Sequence, residues 1–136
     1  MTVRPLRSAD EPAVRSLQSL LDYADPEIVD AALVGPFVGR VAVVDGSVVG
    51  YAIALPGEEA TLSELVVAPD HRRGGHGEAL VDAIAEATGA DRLVVTTPAE
   101  NEAATAFYES LDFEVDARLS GFYADGSDAL RLVRRE

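Results

Sequence analysis

Seven consecutive residues, His71-Arg72-Arg73-Gly74-Gly75-His76-Gly77, bring two histidines, two arginines and three glycines into one turn. An apolar run, Leu65-Val66-Val67-Ala68-Pro69, precedes them, and an amphipathic run from Glu78 to Ala87 follows. Strand, glycine-rich turn, helix is an order that leaves several backbone N–H groups unpaired at a helix N-terminus. Orphan amides and the helix dipole are both positive there, so the turn suits an anion. The glycines let a ligand approach the backbone closely, and Arg72 and Arg73 add charge-assisted contacts to phosphate oxygens. The competing reading is a plain turn that caps a helix. It does not require three glycines and two arginines together.

Other chemistry is narrowed by absence of residue types. The chain contains no cysteine, so thiolate nucleophiles, disulfides and thiolate metal sites are excluded. Its two histidines both lie in the glycine turn and lack zinc-ligand spacing, so no metal is expected. Glu64 is a charged residue inside a valine-rich run, which is either a solvent-facing strand position or a functional carboxylate. Asn101 and Tyr108 are separated by seven residues, which places them near one face of a helix.

The chain has 136 residues, 48% of them hydrophobic, enough for one domain with a real core spanning 1–136. Net charge is −13, and every basic residue is arginine. That surface disfavours nucleic acid and fits either adaptation to salt or a GC-rich codon bias. With no signal-like or membrane-length segment, a cytoplasmic protein with no membrane partner is expected.

The elements that must position these residues follow from periodicity and turn chemistry. Val3 to Leu6 reads as a strand, and Ser8 with Glu11 as a capping box for a helix carrying Val14, Leu17, Leu20 and Leu21. Asp25-Pro26-Glu27 opens a second helix to about Leu33. Strands are expected over 37–44 and 47–55, joined by Asp45-Gly46, and over 60–68. A helix over 75–88 is followed by a strand over 92–96 and a helix over 98–110. Strands from Phe113 to about Leu119 and from Ala129 to Val133 close the chain. The order describes an α/β (α+β) domain: a mixed twisted sheet of six to seven strands with about four helices. The two helical crossovers imply that neighbouring strands are partly parallel.

The segment Val67-Ala-Pro69-Asp-His-Arg72-Arg-Gly-Gly75-His-Gly77 resembles the acyl-CoA loop of the GNAT family of N-acetyltransferases. In that loop Arg or Gln, two residues, Gly, one residue, then Gly or Ala bind pyrophosphate. The segment from Asn101 through Phe107-Tyr108 to Leu111-Asp112-Phe113 is similar to the family's second signature, with Asp112 in place of the usual Gly. Element order extends the resemblance to the whole chain. Within the family, the chain resembles the ribosomal-protein N-terminal (alanine) acetyltransferases in length and loops.

The resemblance implies a GNAT-like acyl-CoA N-acyltransferase fold and a set of roles. Backbone amides of Arg73, Gly74, Gly75, His76, Gly77 and Glu78 would cradle the pyrophosphate of acetyl-CoA, assisted by Arg72. Leu65, Val66 and Val67 would pair with the pantetheine arm as an added strand does. Asn101 would contact the cofactor, and Tyr108 would protonate the departing thiolate. In the alanine acetyltransferases a Glu ends the strand before the Asn; Thr96 stands there in this chain and is no base. Glu64 is the best substitute, Glu100 is a weaker candidate, and Glu58 and Glu59 read as turn residues. Phe122-Tyr123 resembles an aromatic pair lining the acceptor groove, with Tyr23 and Phe37 as an opposite wall. The implied activity is direct transfer of acetyl from acetyl-CoA to a primary amine, a small amine or a peptide N-terminus, by a monomer or homodimer. The alternative is a catalytically degenerate acyl-CoA sensor or complex subunit.

Overall fold

The structure, a computed structural model, describes residues 1–21 and 24–136. Its turns form where the residues favour them. Asp45 and Gly46 both take positive φ, 50° and 79°, and close the hairpin between β2 (Val38–Val44) and β3 (Ser47–Leu55). That backbone matches the twist of the strands it joins. β1 (Thr2–Pro5) pairs with β2 on one side, and β4 (Glu59–Val67) with β3 on the other. β5 (Arg92–Pro98), β6 (Glu114–Leu119) and β7 (Ala129–Arg135) complete a seven-stranded sheet of order β1-β2-β3-β4-β5-β7-β6.

Two helices cover each face. α1 (Glu11–Gln18) and α2 (Pro26–Val34) pack Val14, Leu17, Val29 and Leu33 onto Val41, Tyr51, Ile53 and Val66. α3 (His76–Thr88) and α4 (Glu102–Ser110) pack Leu80, Val81, Ile84 and Tyr108 onto Leu62, Leu93, Val95 and Leu132. Two largely apolar layers therefore flank one sheet. Among the described residues, no helix is long and apolar enough to cross a membrane.

Several boundaries differ from the sequence reading. Ser8 is not the cap of α1. Ser8–Asp10 form a 3₁₀ turn, and the Asp10 carboxylate accepts from the Arg7 backbone N–H at 2.9 Å and from Arg4 at 2.8 and 2.9 Å. A buried carboxylate with a bidentate arginine outcompetes a serine hydroxyl. α1 ends at Gln18, so Leu20 is 49% exposed rather than part of the apolar face. Glu59 is the first residue of β4 and pairs with Arg131 and Arg92, so it is not a turn residue. α4 begins at Glu102, not at Pro98, which ends β5.

The first crossover, through α3, makes β4 and β5 parallel neighbours. The second, through α4, does not make a neighbouring pair. β7 inserts between β5 and β6, antiparallel to both. The last strand thus takes the position that the crossover alone would have given to β6.

β4 carries two departures from regular pairing, and they build the site. Its parallel ladder with β5 covers only Glu59↔Arg92, Ala60↔Leu93 and Thr61↔Val94. Beyond it, Leu62–Val67 lack a ladder partner on that edge, as do Val95–Pro98 of β5. On the other edge Ile53 opposes Glu64 and Ala54 opposes Leu62, so Ser63 is an unopposed bulge residue. The extra residue reverses the alternation. Ala60 and Leu62 belong to the layer under α3 and α4, whereas Glu64 lies alongside Val66, whose layer is the one under α1 and α2.

Candidate active site

The glycine turn is an anion cradle in this geometry. Backbone N–H groups of Arg73, Gly74, Gly75, His76, Gly77 and Glu78 donate to no carbonyl or side chain among the described residues; the ladder of α3 starts with Ala79 N–H to the Gly75 carbonyl at 3.0 Å. Arg73 and Gly75 take left-handed φ of 67° and 81°. Alternating hand along a loop turns successive amides toward one concave side, the arrangement called a nest. Arg73 accepts left-handed strain without being glycine, an outlier of the kind concentrated at ligand sites. Gly75 has open space around the position of a Cβ, so its requirement is conformational.

Gly77 has a second reason to be glycine. A Cβ there would stand 2.8 Å from Phe107 Cζ, because α4 packs its ring against the first turn of α3. The sequence reading assigned this glycine to ligand approach alone. Its neighbour on α4 was not legible from spacing.

Arg72 donates from Nε to the Val67 carbonyl at 3.1 Å, which ties the loop to the end of β4. Arg73 is exposed and forms no ion pair among the described residues, so its charge faces solvent at the nest. Glu78 is exposed and carries a negative charge; only its amide fits the cradle. His76 is half-buried, stacked edge-on to His71 at 5.9 Å, and its buried Nδ1 has no hydrogen-bond partner among the described residues. Leu65 and Val67 pack their side chains under α3 and α4, and Val66 is buried on the opposite layer. Their contribution to a ligand is the unpaired backbone edge facing β5.

Asn101 is exposed and caps α4, its Oδ1 accepting from Ala104 N–H at 3.0 Å. A cap of this kind stabilises a helix by about 1 kcal/mol, a role the sequence reading missed. Its side-chain NH₂ remains available to a ligand. Seven residues on, Tyr108 is buried with its ring edge-on to Phe107 and Phe113 at 5.2 and 5.4 Å. Its hydroxyl makes no hydrogen bond to a described residue. Burial pushes the phenol up to about 12, so it stays protonated through the neutral range.

Glu64 is 7% exposed and held from several directions. Tyr51 OH donates to Oε1 at 2.8 Å, Gln18 Nε2 to Oε1 and Oε2 at 3.0 and 3.2 Å, and Asp25 N–H to Oε2 at 3.3 Å. Burial, then the carboxylate charge, raise the Tyr51 phenol far above its ordinary range, so Tyr51 is a fixed donor. Sequence reasoning missed Gln18, Tyr51 and Asp25. One signal was present: Gln18 falls four residues after Val14, a polar side chain on the buried face of α1.

The remaining candidates separate. Thr96 is half-buried on β5 opposite Arg131. Glu100 is exposed between β5 and α4, at a recess also lined by Ala99, Arg118, Ser127 and Asp128. Phe122 is 54% exposed and edge-on to Tyr123 at 5.0 Å in the β6–β7 loop. Phe37 is half-buried and packs against the core cluster that includes Val29, Val41 and Tyr51. Tyr23 lies outside the described residues. Glu58 lies in the turn before β4, its carbonyl accepting from Asp91 and Arg92.

Residues 37–115, more than half of the chain, match a family described as an acetyltransferase (GNAT) domain. Among curated relatives, an N-alpha-acetyltransferase of Saccharolobus solfataricus is 31% identical over 111 residues, 69% of this chain. The match spans 66% of that relative's length. Among solved structures, the ribosomal-protein-S18-alanine N-acetyltransferase of Escherichia coli superposes with a TM-score of 0.84 at 26% identity, over 98% of this chain and 92% of that one. Ard1 of Thermoplasma volcanium superposes with a TM-score of 0.83 at 28% identity, over 98% and 96%.

Proposed function

The chain belongs to the GNAT acetyltransferase family, and on that premise we propose that it transfers acetyl from acetyl-CoA to a primary amine, a peptide N-terminus in the favoured case. The observation that carries the reading is the run of six unpaired amides, Arg73 to Glu78, beside the edge where β4 parts from β5. Both features fit a ligand with a pyrophosphate and an extended amide arm.

Bound acetyl-CoA supplies an electrophilic thioester carbonyl to the amine and leaves as a thiolate. The chain's residues do the rest. The nest holds the pyrophosphate, with Arg73 adding charge and Arg72 keeping the loop on β4. The free edge of Leu65, Val66 and Val67 takes the amide arm, and a backbone N–H near Val67 polarises the carbonyl. The Asn101 amide group contacts the cofactor from the start of α4. Tyr108 donates its hydroxyl proton toward the departing sulfur, in a dry setting that favours a shared proton over a free thiolate. Glu64 takes the amine's proton on the opposite sheet face, directly or through a water. The acceptor enters on the Glu64 side, with Phe122-Tyr123 of the β6–β7 loop lining its groove. No metal, nucleic acid or membrane takes part, and the protein works in the cytoplasm as a monomer or homodimer.

The peptide reading over the small amine rests on the likeness to the S18-alanine and N-alpha enzymes. The test is thiol release from acetyl-CoA on a panel of N-terminal peptides and small amines, beside a melting curve with acetyl-CoA. Thermal stabilisation with turnover on peptides is the expected result. Stabilisation without turnover on any acceptor identifies a sensor, and no stabilisation at all removes acetyl-CoA from the account.

A further inference from the structure

Gln18 is 5% exposed at the end of α1. A buried amide has to be satisfied, and its partners show what it joins. Nε2 lies 2.9 Å from the Asp25 carbonyl and 3.0 and 3.2 Å from the two Glu64 oxygens. One amide proton reaches Asp25, and the other lies between the carboxylate oxygens. Asp25 in turn donates its N–H to Glu64 and caps α2 by accepting from Glu27 N–H at 3.0 Å. A single side chain thus links the end of α1, the start of α2 and the bulged segment of β4.

The count of protons bears on catalysis. A carboxylate offers about four lone-pair directions. Tyr51, Gln18 and Asp25 aim three protons at them. The Gln18 proton spans both oxygens, so each oxygen meets two donors and the carboxylate is fixed in orientation; an amine or water reaches it by sharing an oxygen with one of them. We propose, resting on Glu64 as proton acceptor, that Gln18 is a positioning residue: it aims the Glu64 carboxylate and ties Asp25, at the start of α2, to it. The proton acceptor and the N-terminus of α2 then move as a unit. Losing Gln18 frees the carboxylate to turn and loosens Asp25 from it.

The test is Gln18→Met, which keeps length and removes the amide, assayed with the best acceptor of the peptide and amine panel. Loss of a charge-assisted hydrogen bond that orients the group lowers kcat by about tenfold. The KM for acetyl-CoA, whose proposed contacts do not include Gln18, stays within about twofold. In a Glu64→Gln background the same substitution lowers kcat by less than about twofold, since nothing remains to be aimed. An equal loss in both backgrounds means Gln18 only stabilises the fold and overturns the proposal, as does an unchanged kcat. Gln18→Asn, which draws the amide back by one methylene, is the second variant if the first folds poorly. If wild type turns over no acceptor, the acetyltransferase reading fails by itself. The link is then read by hydrogen exchange at the Asp25 and Glu27 amides, expected to quicken by about tenfold in Gln18→Met. Unchanged exchange there overturns the link.

Discussion

Gly77→Ala separates packing from ligand binding at the cradle. The added Cβ would lie 2.8 Å from Phe107 Cζ, about 1 Å inside an ordinary carbon–carbon contact. Phe107 is half-buried and packs against the α3–α4 core, so its ring gives way only at the expense of those contacts. Overpacking of this kind costs roughly 1–3 kcal/mol. Alanine returns up to about 1 kcal/mol of helix propensity, so a net loss of about 1–2 kcal/mol is expected by urea unfolding. In a Phe107→Leu background the offending ring is gone, and the same substitution becomes neutral or stabilises by up to about 1 kcal/mol. Binding is read separately, by calorimetric titration with CoA. The Gly77 amide sits in the nest, so a shifted first turn weakens CoA by about tenfold in the single variant and less in the double. An equal destabilisation in both backgrounds would refute the clash with Phe107. Weakened binding that persists undiminished once the ring is removed would refute the idea that packing sets the cradle.

Tyr108→Phe is expected to lower kcat by about 10²-fold while leaving CoA affinity within about twofold; a large loss of affinity would make Tyr108 structural. Because burial holds Tyr108 protonated up to about 12, the wild-type rate shows no fall from its ionisation between about pH 8 and 10; a decline there that vanishes in Tyr108→Phe contradicts this. Asp112 adopts φ 71° at the exit of α4, so Asp112→Gly stabilises the fold by up to about 1 kcal/mol in thermal unfolding. A loss of stability on that substitution would mean that the Asp112 side chain contributes more than its backbone strain costs.

What the chain determined alone was local. Asp45-Gly46 closes its hairpin, Pro26 opens α2 behind Asp25, and the order strand, glycine turn, helix places the cradle, because each depends on backbone preferences within a few residues. The family resemblance was legible for the same reason: its motifs sit in two short segments. Tertiary structure decided what depends on partners distant in sequence. The Ser63 bulge flips Glu64 onto the α1 face, where Gln18, Tyr51 and Asp25 hold it. A strand's period of two is blind to a bulge, since register is set by the neighbouring strand. The insertion of β7 beside β5 and the pressure of Phe107 on Gly77 likewise arise between elements. The anion cradle was therefore written in consecutive residues, whereas the setting of the acceptor-side carboxylate came into being only when the sheet closed.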